Sequence, residues 1–428
     1  MVTEGTSMYT IQQLHDAVAK GDLPKVEAIL SNKMNIDECD EEGLTALQQA
    51  CFRGNVEIAR ILVNHGADVN WSKHKQGYTA LMFAAIAGNL HLVSFLLSCG
   101  ASVSATNSLN RTASEMAAFV GNYFVVALIS NYLDKEKIAF FSTRKEANVA
   151  KIPAVLVNPL HQLVIRLNFS PVKVFLYLSS PTGKPLLEQW KSVVSVLEEL
   201  LKQFFTPHQT HEALALKFHM LACCLKRAGE FYESECSKLE MEPAIQQKEP
   251  IICLEPLIKQ FLRGGDPHGL PMGQERFLRK SISTFPRMES TLWQQVVRQV
   301  SDVEPGLSPT ALSILENSIN GLSPFSRSAA GRGLDTEPCA TCADMGGGGS
   351  EVQVKRCSRC REVAYCSTTC QRLHWFTHKK YCPILKEHHD AVARHNAEVA
   401  AKKEKAAPPP VRHEVAAELQ AAFEKQEA

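Results

Sequence analysis

The sequence predicts a mainly α chain in three parts: a solenoid of helix pairs, a helical middle region and a small binuclear metal module near the C-terminus. Three observations carry this reading. Gly21-Asp22, Gly54-Asn55, Gly88-Asn89 and Gly121-Asn122 recur at steps of 33, 34 and 33 residues. Between residues 187 and 232 the apolar positions recur at three and four residues, the period of amphipathic helices. Near the C-terminus, Cys339-x2-Cys342, Cys357-x2-Cys360, Cys366-x3-Cys370 and His378-x3-Cys382 form four pairs of metal-ligand side chains.

In the N-terminal part, other marks keep the same step: Thr45-Ala-Leu47, Thr79-Ala-Leu81 and Thr112-Ala-Ser114, then Gly66-Ala67 and Gly100-Ala101. Each Thr suits the cap of a first helix, the Gly-Asn or Gly-Asp pair turns between helices, and the later Gly permits a left-handed stop. This pattern resembles the ankyrin repeat. The expected organisation is a stack over residues 8–134, with a cap at 11–43 and repeats at 44–77, 78–110 and 111–134. Leu47, Ala50, Ile58, Ile61, Leu62 and Val63 form stripes that one helix pair cannot bury, so neighbouring units must stack. The first unit lacks the Thr-x-Leu opening and reads as the cap. The fourth has Ser114 for Leu and gains Phe119, Tyr123, Phe124 and Val126, which suits docking onto the middle region. The loop between Asn70 and Gly77 is one residue longer than its counterpart and carries Trp71, His74 and Lys75, candidates for contact with a protein client. Packing of Trp71 over its own hairpin fits equally.

Residues 135–300 read as a helical middle region, clearest over Leu187–Phe205 and His211–Tyr232. Val155–Leu178 is rich in β-branched residues and holds Pro159 and Pro171, so helical and extended pieces are both open. Cys223-Cys224 lies in an apolar helical run and reads as a pair of buried thiols. From 301 to 337 the composition turns to Ser, Pro, Gly and Asn, as in a linker. Residues 338–383 hold the metal module. Residues 384–428 read as a tail, with a helix over 384–406, Pro408-Pro409-Pro410, and a polar helix at 414–425 that is at most partly ordered.

A thiolate or imidazole pair two or three residues apart grips one face of a tetrahedral ion, and two pairs close a structural site. Eight ligands therefore imply two zinc ions. His374 lies four residues before His378 and could compete from the same helical face. With all positions filled by protein, neither ion keeps a place for water, so the sites are structural rather than catalytic.

The intervening residues add an identity. Cys357-Ser-Arg-Cys360, Ala364-Tyr-Cys366 and Cys370-Gln-Arg-Leu-His-Trp-x2-His-x3-Cys382 resemble the MYND zinc finger, with an extended loop including Gly346–Ser350 as the departure. That resemblance favours His378 over His374 and implies interleaved sites: Cys339, Cys342, Cys366 and Cys370 on one ion, Cys357, Cys360, His378 and Cys382 on the other. It also implies a shallow groove for proline-rich peptides at Ser358, Gln371 and Trp375, where an already ordered strand would meet an indole and an amide. Repeats first, a helical middle and one C-terminal finger resemble the ankyrin repeat and MYND domain-containing proteins. What this implies is a non-enzymatic adaptor for protein clients, linked to trafficking of signalling proteins to the primary cilium and to Hedgehog signalling.

Composition sets the remaining bounds. Formal net charge is +1, which supplies no overall field for a nucleic-acid backbone, although Lys355, Arg356, Arg359, Arg361, Arg372, Lys379 and Lys380 make the metal segment locally basic. No run of 18 apolar residues passes without charge, so membrane insertion is not expected. The cysteines outside the module show no disulfide spacing, and zinc thiolates require a reducing space, which fits the cytoplasm. A transcriptional corepressor-type scaffold and a SET-domain lysine methyltransferase are the rival readings. Lys402-Lys-Glu-Lys405 is too weak for a nuclear signal, and no Asn-His-Ser-Cys or Gly-Glu-Glu-type segment is present.

Overall fold

The computed structural model describes residues 9–32, 34–73, 75–144, 150–206, 209–240, 254–264, 271–321, 338–344 and 354–406. The chain opens with four helix pairs: α1 (Ile11–Lys20) with α2 (Leu23–Leu30), α3 (Ala46–Phe52) with α4 (Val56–Asn64), α5 (Ala80–Ala87) with α6 (Leu90–Ser98), and α7 (Ala113–Phe119) with α8 (Tyr123–Ser130). Thr45, Thr79 and Thr112 cap the first helices, each side-chain oxygen accepting from the backbone N–H three residues on. Thr10 does the same for α1, with Gln13 completing a reciprocal capping box, so the first unit keeps the threonine though not the leucine.

The periodic asparagines have a second task that periodicity alone did not disclose. Asn55 and Asn89 cap the second helices α4 and α6, while the Asn89 amide also donates to Gly54 O of the preceding unit at 2.9 Å. Asn122 gives up the cap and sends its amide to Ala85 O and Ile86 O at 3.0 and 2.8 Å. Gln48 of α3 reaches forward to Trp71 O and Tyr78 O. These bonds run between units and satisfy backbone carbonyls at helix ends and in the connecting loop, which fixes stacking as well as turn geometry. The stack holds one apolar core, with Leu14, Leu47, Ile58, Leu62, Leu81, Leu92 and Leu96 almost wholly buried.

Among its described residues, the middle region has helices for its regular elements, apart from one short hairpin. It comprises α9 (Lys135–Thr143), α10 (Ala154–Val164), α11 (Pro171–Leu178), α12 (Lys184–Glu188), α13 (Trp190–Gln203), strands β1 (Phe205–Thr206) and β2 (Gln209–Thr210), and then α14 (Glu212–Glu240), α15 (Glu255–Leu262), α16 (Met272–Ser283), α17 (Thr291–Ser301) and α18 (Ala311–Asn320). The stretch 155–178, open to helical and extended readings alike, forms the helices α10 and α11 joined by a non-helical connection at 165–170. Pro171 sits at a first-turn position where its missing N–H is unneeded, and Pro159 inside α10 exposes its own carbonyl to the Tyr177 hydroxyl, which donates to it at 2.8 Å. The long α14 is the axis against which α11, α12, α13, α16, α17 and α18 pack.

Two boundaries need correction. Residues 301–337 are not a linker throughout, because α18 lies within them with Ala311, Leu312, Ile314, Leu315 and Ile319 buried. Thr310 caps it and Gly321, at φ 67°, ends it, but ten residues inside a Ser/Pro/Gly-rich stretch are too few to shift the composition. The helix read over 384–406 as running off the finger begins earlier, inside it: β3 (Lys355–Arg356) and β4 (Ala364–Tyr365) lead into α19 (Thr368–Ala406), which runs unbroken through Pro383. The expected helix at 414–425 and the loop residues Gly346–Ser350 lie outside the described residues.

The last repeat docks onto the middle, as its apolar drift suggested, but through a polar junction. Lys217 of α14 is fully buried and donates to Asn131 Oδ1 at 3.0 Å. The Asn131 amide donates to Ala127 O and to Asn320 Oδ1, at 2.9 and 3.1 Å, and the Asn320 amide to Leu167 O. Phe119, by contrast, is exposed. Burial pushes the Lys217 ammonium down to about 7 from an ordinary 10.5. Between those values the unfolded chain holds more protons than the folded one, so stability rises with pH through this window, by at most about 1.4 kcal/mol per pH unit. Lys217→Met should remove that rise. Urea unfolding of wild type and variant at pH 7 and 9 checks it, and equal slopes would mean the buried lysine keeps its proton.

Candidate metal centre and interaction surfaces

Four short pieces of chain bring the eight ligands together. The first two pairs sit in matching turns. Ala343 N donates to Cys339 O at 2.8 Å and Arg361 N to Cys357 O at 2.9 Å, and both Ala343 and Arg361 adopt φ 59°. This left-handed residue after each Cys-x-x-Cys turns both thiols to the same side, at a cost of order 1 kcal/mol for a residue that is not glycine. The β3–β4 pair, with Cys357 N bonded to Val363 O at 2.7 Å, holds the second turn, and Ala340 N bonded to Ala364 O ties the first turn to it. Cys366 and Cys370 flank the start of α19, where Ser367 Oγ accepts from Cys370 N. His378 and Cys382 lie one helical turn apart on α19, on one face.

The donor atoms gather as two sets of four, Cys339, Cys342, Cys366 and Cys370, and Cys357, Cys360, His378 and Cys382, all within 4.8 Å of one another inside each set. Cys342 Sγ lies 3.5 Å from Cys366 Sγ and 3.8 Å from Cys370 Sγ, and Cys360 Sγ lies 3.6 Å from His378 Nε2. A tetrahedral zinc ion with bonds of about 2.0–2.3 Å sets its ligands roughly 3.4–3.8 Å apart, so the donors fit two zinc ions in the interleaved arrangement. The ions, when bound, cross-link turn and helix; four protein ligands each leave no position for a reacting water.

His374 stands outside both sets. It is buried, its Nδ1 lies 3.0 Å from the Tyr365 hydroxyl, and its ring stacks on that of His378 with 25° between planes. Burial pushes it down to about 4, so it stays neutral near physiological pH and orients its neighbours without ligating.

Sequence reasoning missed the seating of this module. The Cys342 carbonyl accepts from both Asn168 Nδ2 and Ser170 Oγ at 2.9 Å, and Lys173 pairs with Asp344. Helix α15 packs against α19, with Arg372 bonded to Glu255 at 3.3 Å. The ligand cysteines and Leu373 belong to the same apolar cluster as the middle helices. No local spacing could disclose partners about 170 residues away in the chain.

Residues 14–107 match the family model for ankyrin repeats, in three copies, and residues 339–382 match that for the MYND finger. The chain thus carries ankyrin repeats and a MYND finger. Among curated relatives, Dauer abnormal formation protein 25 of Caenorhabditis elegans is 26% identical over 87% of this chain and 90% of its own length. Shorter likenesses are to the Notch-regulated ankyrin repeat-containing protein of Xenopus tropicalis, 34% identical over 14% of this chain and 57% of its own, and to SET domain-containing protein 14 of Caenorhabditis elegans, 46% identical over 10% of each. Both matched modules are of the protein-interaction kind, which supports an adaptor.

Of the candidate surface residues, Ser358 is exposed, Gln371 half-buried and Trp375 41% exposed. Gln371 and Trp375 are one turn apart on α19, and the Trp375 ring centre lies 5.8 Å from that of the ligand His378. Ser358 directly succeeds Cys357, a ligand of the same ion. In the long repeat loop Trp71 is half-buried and Lys75 exposed, whereas His74 lies outside the described residues. Among the described residues no helix is long and apolar enough to cross a membrane.

Proposed function

We propose that this ankyrin-repeat and MYND-finger protein is a non-enzymatic adaptor that binds protein clients through its repeat stack and proline-rich peptides through its finger. The observation that carries the reading is the pair of closed four-ligand sites beside an exposed indole: a rigid, chemically inert support for a binding surface. The peptide groove would be Ser358, Gln371 and Trp375, and Trp71, His74 and Lys75 would contact the client. On the family resemblance the clients are signalling proteins, ciliary membrane proteins among them, bound for the cilium, with the adaptor acting in the cytoplasm and at the cilium.

Trp375 ligates nothing, so Trp375→Ala should leave zinc content unchanged while weakening proline-rich peptide binding by about 2 kcal/mol, roughly 30-fold. Titration of labelled proline-rich peptides into both chains measures this. Trp71→Ala, His74→Ala and Lys75→Ala combined should lower recovery of co-purifying clients with little change in melting temperature. Recovery that survives this triple change but is abolished by Cys357→Ser would make the finger the receptor and the repeats a spacer.

A further inference from the structure

Away from both modules, α14, α15, α16 and residues 304–307 enclose an open groove of about 790 Å³. Its charged lining is three arginines, Arg227, Arg263 and Arg276, against one carboxylate, Glu304. Arg227 is held by Gln260 Oε1 at 3.1 Å, and among the described residues no carboxylate pairs with Arg263 or Arg276. Phe261, Phe277 and Met272 line the same space. The lining is built on a close approach of backbones, since a Cβ on Gly273 of α16 would stand 2.4 Å from Gln260 O of α15. A small cleft of about 20 Å³, enough for one water-sized group, shares Met272 and Gly306 with the groove and is lined by Gln274. Gln274 is 93% buried, and its Oε1 has no hydrogen-bond partner. A buried acceptor left without a donor is costly, so the cleft is suited to an N–H donor.

Guanidiniums without a carboxylate partner among the described residues, an apolar lining and a buried acceptor are the complement of a peptide with carboxylates, an apolar side chain and a free backbone N–H. We propose that this groove is a docking site for an acidic segment of a protein partner, with Arg263 and Arg276 pairing its carboxylates and the half-buried Phe277 and Met272, backed by Phe261, receiving an apolar side chain. Nucleic acid fits less well, because Glu304 stands on the groove and the lining offers apolar rings of which one, Phe261, is almost wholly buried. The site is independent of the finger groove and of the repeat loop.

Random peptides displayed on phage are selected against the full chain, and the enriched peptides are then titrated by fluorescence polarisation. The expected peptides carry Asp or Glu beside an apolar residue. Arg263 and Arg276 are exposed, so Arg263→Glu with Arg276→Glu should leave the circular dichroism melt unchanged and weaken binding roughly 100-fold. The paired lysine variants should stay within about fivefold, and Trp375→Ala should change nothing. Enrichment of peptides without acidic residues, or binding that survives the reversal, overturns the proposal. Enrichment only with a chain ending at Ala406 overturns it in favour of an internal occupant, since residues 407–428 hold four glutamates against one arginine and one lysine.

Discussion

Chelating zinc from the full chain should unfold more than the finger. Structural zinc is worth about 10–16 kcal/mol of apparent binding energy in small zinc-finger peptides, so the finger's ligand turns and β3–β4 pair should lose their fold outright. With them goes the Cys342 carbonyl that accepts from Asn168 and Ser170, and the apolar cluster shared with the middle helices. Hydrogen exchange should therefore accelerate across α11, residues 171–178, as well as in the finger. The repeat stack has its own core and its own inter-unit bonds, so its exchange should be unchanged. Unaltered exchange in α11 would show that the finger rests on the middle region without supporting it.

Gly229→Ala should destabilise the protein although it replaces glycine inside a helix. Helix propensity alone favours alanine by about 1 kcal/mol. Here a Cβ would stand 2.2 Å from Trp190 Cγ and 2.3 Å from Cδ2, inside the ring. The indole has nowhere simple to go, because its Nε1 donates to Glu233 Oε1 at 3.1 Å and α13, which carries it, packs closely on α14. Overpacking of this kind costs about 1–3 kcal/mol and sometimes more, so the urea midpoint should fall. A raised midpoint would mean Trp190 swings aside freely and that propensity governs the site.

Both metal sites were legible because their information is local: pairs of ligands in short turns and on one helix face, with His378 chosen over His374 by the family spacing. The repeat stack was legible because each turn restates Gly-Asn or Gly-Asp and each first helix restates Thr. What stayed hidden lay in long-range partners. Asn131, Lys217 and Asn320 are ordinary in sequence, and only their meeting in the core makes a junction. Helix α18 was hidden because its polar flanks dominate the surrounding composition, while its stripe of Ala311, Leu312, Ile314, Leu315 and Ile319 becomes meaningful only against α14 and α17. Gly229 reads as a flaw in α14 until Trp190 is placed over it.

Both proposed roles of the finger, as a support for peptide and as a brace for the middle helices, depend on its cysteines and histidine closing two separate four-ligand zinc sites. Elemental analysis of the native chain, purified without added metal and normalised to protein by amino-acid analysis, measures this directly. Two zinc ions per chain are expected, falling to one when Cys357 and Cys360 are both replaced by Ser while Cys339, Cys342, Cys366 and Cys370 remain. One ion in the wild type, or two in that variant, would contradict the interleaved closed sites and with them the inert support on which the binding surfaces are placed.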